Sequence, residues 1–421
     1  MWGQVTGNQY LSQMFLKVGN KVITQRGKFV EKKFNTLIFR VDGDRFPKIF
    51  SSFPAGGQLF EIFSSSPNTV EINWGDGNVI NYDFIPNSGK YVFNLKKESA
   101  YIFEDGNTGF RDIVMTFGKT RDILRFKTIR SFLGETFPTN ILAFRDLETI
   151  ALNQGAGVEN FPTKLSTLTK LTAFELFNAK IDILPTSLLN LPIEDLGLTN
   201  AIDLDRPFNE TNFDKLNLLQ NSIKKLTLSR NGIKEIPSSF SELYLLEILG
   251  IDFSTVYTLG PEIYNLQSLR LLRINGGSSG YLADFENFDK LTKLESFISY
   301  TTFSAQNMDV DVTNFGGLIY IKNISVYGIV MNSQTKVNTF INTLYNIIEA
   351  GAEKDDTIGG SGPFREMIIR CTRLSGTTSP TGIFQEPTGY IQNSNNGSPA
   401  TPKEKIWVIV NQYNSTVNYS E

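Results

Sequence analysis

The chain has 421 residues, 20% of them charged, with a formal net charge of −3. That balance gives no electrostatic footing for nucleic acid or an anionic membrane surface, and the length exceeds one ordinary core, so two or three domains are expected. There is no histidine, which removes the commonest general base and metal ligand. Cys371 is the only cysteine, so neither an intrachain disulfide nor a cysteine zinc site is possible.

Residues 1–35 hold no sustained period and read as an arm or linker. Within them, 15–23 fit a hairpin turning at Gly19-Asn20. Met1–Thr6 lacks the basic-then-apolar pattern of a secretory signal. No run of 18 apolar residues exists, so no membrane insertion is expected. A lone thiol fits synthesis in a reducing cytoplasm. A surface rich in Asn, Ser, Thr and Gly fits a protein that works outside cells. A virion component released by lysis reconciles the two.

Residues 36–120 read as an antiparallel β-sandwich. Thr36–Val41 is rich in β-formers. Thr69–Trp74 alternates, with Val70, Ile72 and Trp74 on one face, and Asp76-Gly77 is a hairpin turn. Val79–Phe84 returns. Alternating apolar positions follow at Tyr91, Phe93 and Leu95, at Tyr101 and Phe103, and at Ile113, Met115 and Phe117. The stretch from Val70 through Trp74-Gly75-Asp76-Gly77 resembles the turn of polycystic-kidney-disease-type (PKD-like) immunoglobulin sandwiches. That resemblance implies a core tryptophan and a structural turn, so Asp76 is read as a turn residue. Glu104-Asp105-Gly106-Asn107 supplies too few oxygens for calcium.

Residues 121–330 carry a repeat. It is clearest at Ile223-x-x-Leu226-x-Leu228 and returns at Leu246-x-x-Leu249-x-Ile251 and Leu269-x-x-Leu272-x-Ile274. The same frame fits Leu147, Leu171, Ile193, Leu294 and Ile321, giving steps of 24, 22, 30, 23, 23, 25 and 27 residues. The return halves follow Ile-x-x-Leu/Ile-Pro-x-x-Leu, as at Ile181, Leu184, Pro185 and Leu188. This pattern resembles the leucine-rich-repeat family and implies a solenoid with parallel strands. Asn231 fits the family's ladder position, whereas Gly155, Ala179, Ala201, Ser254 and Gly277 stand there elsewhere, so the ladder is mostly missing. The 203–217 insertion reads as a loop, and 309–314 lacks the glycine and closing Glu of a calcium loop.

Residues between the inward leucines point out of the sheet, on the concave side in this family. The candidate binding residues there are Glu175, Phe177, Asp195, Lys225, Asp252, Arg273, Asn275, Tyr300 and Tyr327. Apolar and aromatic residues crowd the later repeats at these positions. Exposed apolar patches mark interaction sites, so the working face is expected around Arg273, Tyr300 and Tyr327, unless the C-terminal segment covers it.

Residues 331–421 read as a C-terminal α/β cap. Ser333–Ala350 has helical periodicity, and Glu366–Thr372 is a strand that carries Cys371 as a buried, inert thiol. Phe384, Tyr390 and Ile391 are anchors. Thr401-Pro402-Lys403-Glu404 is a capping box that starts a helix, and Ser415–Tyr419 is a last strand. The closing helix and strand, with the Trp-Gly-Asp-Gly turn, are similar to leucine-rich-repeat structural proteins of tailed phages that infect Bacteroidetes.

That likeness implies a non-enzymatic head or tail fibre or appendage, located in the virion and requiring no cofactor or metal. Its partners are other virion proteins and, beyond them, a host-surface glycan or protein, in a homo-oligomer or larger assembly. A bacterial leucine-rich-repeat adhesin is the alternative. A carboxylate-based depolymerase is a third reading, because Glu175 and Asp195 fall on adjacent strands and glycoside hydrolysis needs two carboxyl groups.

Overall fold

The computed structural model describes residues 16–18, 21–23, 29–31, 35–42, 58–96, 110–128, 137–138, 140–153, 162–177, 184–199, 213–229, 236–252, 261–276, 290–301, 318, 320–321, 323–327, 338–339, 341–346, 349, 368–372, 385–392, 395–412 and 416–420. They are mostly strand, with short helical turns. In chain order the first strands are β1 (Leu16–Val18), β2 (Lys21–Ile23), β3 (Phe29–Glu31), β4 (Thr36–Asp42), β5 (Gln58–Ser64), β6 (Thr69–Asn73), β7 (Val79–Asp83), β8 (Ile85–Asn87), β9 (Lys90–Lys96), β10 (Phe110–Phe117) and β11 (Ile123–Thr128). The repeat strands follow: β12 (Thr149–Asn153), β13 (Ala173–Phe177), β14 (Asp195–Thr199), β15 (Lys225–Ser229), β16 (Ile248–Asp252), β17 (Leu271–Gly276), β18 (Ser296–Thr301) and β19 (Asn323–Tyr327). The last are β20 (Ile368–Thr372), β21 (Tyr390–Ile391), β22 (Asn395–Asn396) and β23 (Thr416–Ser420).

The hairpin expected in the arm forms, with Val18 opposite Lys21, and β3 adds a third antiparallel strand. Its turn lies outside the described residues.

One sheet of 14 strands dominates, in the order β23-β20-β19-β18-β17-β16-β15-β14-β13-β12-β11-β5-β9-β8. From β11 to β23 every pairing is parallel. Each repeat sends its apolar positions to one side because strand side chains alternate. Leu147, Ile150 and Leu152 are buried, as are Ile223, Leu226 and Leu228, and Leu269, Leu272 and Ile274, none more than 1% exposed. The return halves are short helical turns. Thr186–Leu189 is a single α-turn started by Pro185, while Ser238–Glu242 and Pro261–Asn265 are 3-10 turns, with Leu188, Phe240 and Ile263 buried. Parallel rungs, inward leucines and helical returns together make a leucine-rich-repeat solenoid. The ladder position at Asn231 lies outside the described residues.

Just before the strands runs a row of alternating charge. Lys224 meets Glu194 at 3.0 Å, and Arg270 lies between Glu247 at 3.9 Å and Glu295 at 2.6 Å. These pairs are partly exposed, so each stabilises by about 1 kcal/mol at most. The leucine core, not this row, holds the stack.

The sheet does not stop at residue 120. β11 pairs parallel with β12 on one side and antiparallel with β5 on the other, and β5 pairs with β9. A second sheet, β4-β10-β6-β7, faces that antiparallel end. Phe39 of β4 stacks on Phe126 of β11 at 5.3 Å and packs beside Phe60 of β5 at 5.8 Å. Trp74 is fully buried, and Gly75 and Gly77 take φ of 83° and 98°. Asp76 Oδ1 accepts from the Asn78 amide at 2.9 Å, as a turn residue does. The edge strand β8 is three residues long, exposed throughout and carries Pro86. Tyr101, Phe103 and 104–107 lie outside the described residues.

Nor does the sheet stop at 330: β20 and β23 extend the parallel ladder. The described residues of 338–349 are helical, with Ile341 and Leu344 buried. The side chain of Cys371 lies outside the described part. Tyr390 anchors edge-on against Trp407 at 4.3 Å, whereas Ile391 is 59% exposed and anchors nothing by burial. The helix Pro402–Asn411 opens with the capping box: Thr401 Oγ1 accepts from the Glu404 amide at 3.3 Å, and Glu404 Oε2 accepts from the Thr401 amide at 2.8 Å.

Two outcomes follow. Leu228→Ala removes buried methyls from the middle of the stack and lowers unfolding free energy by about 2–5 kcal/mol, measurable by urea titration. The second concerns Glu404. Backbone and side-chain hydrogen bonds from Thr401 hold its carboxyl below its usual value of 4.5. A depressed folded-state pKa stabilises above the unfolded value and ceases to as pH falls through the folded one. The melting-temperature gap between the parent chain and Glu404→Gln is therefore present at pH 7 and closes below about pH 4.5.

Candidate functional site

Strict register from β13 to β17 sorts the alternate strand positions that do not enter the leucine core into three rows. One runs Ala173, Asp195, Lys225, Ile248, Leu271. The middle row runs Glu175, Gly197, Thr227, Gly250, Arg273, and the third runs Phe177, Thr199, Ser229, Asp252, Asn275. The rows form because a parallel pair with no bulge places equivalent residues side by side, about 4.8 Å apart.

In the middle row two glycines open the surface. A Cβ at Gly197 would sit 3.0 Å from Glu175 Cγ, and one at Gly250 would sit 3.9 Å from Arg273 Nε. Both charged side chains therefore lean inward over a glycine. Between them lies a hollow of about 390 Å³, floored by Gly197 and Thr227 and flanked by Phe177, Asp195, Lys225 and Ser229.

Asp195 and Lys225 pair at 2.8 Å through Oδ2. Asp195 Oδ1 is buried and accepts no hydrogen bond among the described residues. Glu175 and Arg273 make no ion pair or hydrogen bond among the described residues. No cluster of His, Cys, Asp or Glu suited to a metal occurs among the described residues.

Of the residues singled out from sequence, Glu175, Phe177, Asp195, Lys225 and Arg273 converge on this hollow. Asp252 and Asn275 continue the third row by backbone register, followed by Tyr300 and Tyr327. The side chains of these four lie outside the described part. The hollow thus sits over the central repeats. Gly197 and Gly250 escaped the sequence reading. The signal was present in Leu196-Gly197-Leu198 and Leu249-Gly250-Ile251, where an outward slot holds no side chain.

No protein-family model matches the chain, and no curated protein matches it. Among solved structures, a leucine-rich-repeat protein of Leptospira interrogans is similar over 50% of this chain and 56% of its own, at 18% identity and a TM-score of 0.36. Internalin C2 of Listeria monocytogenes is similar over 52% of this chain and 78% of its own, at 16% identity and a TM-score of 0.32. The plant peptide hormone receptor RGFR1, in complex with RGF2, is similar over 59% of this chain and 39% of its own, at 17% identity and a TM-score of 0.33. The chain spans about half the length of the Leptospira protein.

Proposed function

We propose that the chain is a non-catalytic binding protein that receives its partner on the outward face of the parallel sheet, over the hollow between Glu175 and Arg273. The supporting observation is that this hollow is lined by charged groups, of which Glu175 and Arg273 have no partner among the described residues, on a face that the leucine core does not use. Polar groups withheld from water favour a ligand that satisfies them.

The test fills the hollow. Thr227 floors the hollow of about 390 Å³, so an indole has room there and leaves the leucines untouched. Thr227→Trp shifts stability by about 0.5 kcal/mol or less, as surface changes do. On peptide and glycan arrays probed with the full chain, every ligand signal of the parent falls at least tenfold in the variant. Ligands kept by a folded Thr227→Trp, or no array signal from the parent, overturn the reading.

The finer assignment extends this. Residues 36–120 are a PKD-like sandwich, residues 331–421 an α/β cap, and the whole is a structural protein of a tailed-phage virion, bound to neighbouring virion proteins. It is supported by the buried Trp74 at its glycine-flanked turn and by the capped helix followed by β23. Immunogold labelling of purified particles that finds label nowhere on them sinks it.

A depolymerase is the second reading, favoured by Glu175 and Asp195 sharing one hollow. Lys225 already engages Asp195, which is why binding is preferred. Polysaccharide cleavage that is lost in Glu175→Gln reverses that preference.

A further inference from the structure

The hollow is balanced in charge but not paired. Asp195 and Lys225 satisfy each other through one oxygen. Glu175 and Arg273 do not meet, although each leans over its neighbouring glycine. Gly197 and Gly250 are two ladder steps apart, about 10 Å at 4.8 Å per step, so the two charged groups stand at opposite ends of a short trough. Each is half-buried, and a half-buried charge without a partner gains when a ligand supplies one.

We propose that the hollow takes a polypeptide segment in the polyproline II conformation, carrying a basic and an acidic side chain three residues apart, which its three-residue turn puts on one side. This rests on the outward face being the binding surface. Three such residues span about 9 Å at 3.1 Å per residue, which matches the trough. The basic group meets Glu175, and the acidic group meets Arg273. Phe177 shares the outward face of β13 with Glu175 and flanks the methylene stem of the basic residue. A neutral glycan supplies neither charge. A polyuronate meets Arg273 but sets its other carboxylates against Glu175 and Asp195.

The probes are four fluorescein-labelled, C-terminally amidated peptides: Gly-Ser-Lys-Gly-Ser-Glu-Gly, its Lys-to-Gln and Glu-to-Gln forms, and the form with both. Anisotropy is read against the full chain, Glu175→Gln, Arg273→Gln and Thr227→Trp, with polygalacturonate oligomers as competitor. The mixed-charge peptide binds the parent at least tenfold more tightly than the other three. Glu175→Gln abolishes the preference for Lys and keeps that for Glu, and Arg273→Gln does the reverse. That crossed pattern is one that mere unfolding cannot produce. If all four peptides bind alike and only Thr227→Trp releases them, the face binds but the charge assignment is wrong. If polygalacturonate binds and the peptides do not, the ligand class is wrong. If no probe binds, the proposal fails.

Discussion

Everything on the working face depends on unbroken register between neighbouring parallel strands. From β13 to β17 each residue pairs with its counterpart one repeat later. The leucines enforce this, because a slip of one residue would turn each buried row toward water. The outward residues inherit the alignment without contributing to it. The core therefore fixes where Glu175 and Arg273 stand, while their chemical identity stays free to vary. A solenoid separates the two duties spatially: stability lies on one side of the sheet and recognition on the other.

The same separation explains what could be read from sequence. Leucine spacing is dictated by burial, so the repeats from Leu147 onward were legible, as were Trp74 and the Thr401–Glu404 box. β5 was not, because Gln58–Ser64 has apolar residues on both faces. Phe60 and Ile62 are buried, and Phe63 points the other way, under Arg125 at 5.6 Å. Alternation, the usual mark of a strand, is lost there. Nor could sequence show that β5 and β20 join the repeat strands in one sheet. Pairing between strands distant in the chain leaves no local pattern.

The candidate site was half legible. Residue types at outward positions pointed to Glu175, Asp195, Lys225 and Arg273. The aromatics Tyr300 and Tyr327 also drew weight, and their side chains lie outside the described part. The hollow arises from what is missing at Gly197, with Arg273 reaching across Gly250. A binding surface is shaped as much by absent Cβ atoms as by the groups that reach across them.

The two ends of the long sheet differ in kind. At one end β8 is three residues long and holds a proline, both features that discourage a foreign strand from adding to an edge. At the other end β23 is five residues long and, among the described residues, pairs on one side only, with β20. Of this sheet's two edges, the β23 side carries neither guard among the described residues, so a further strand meets less resistance there than at β8.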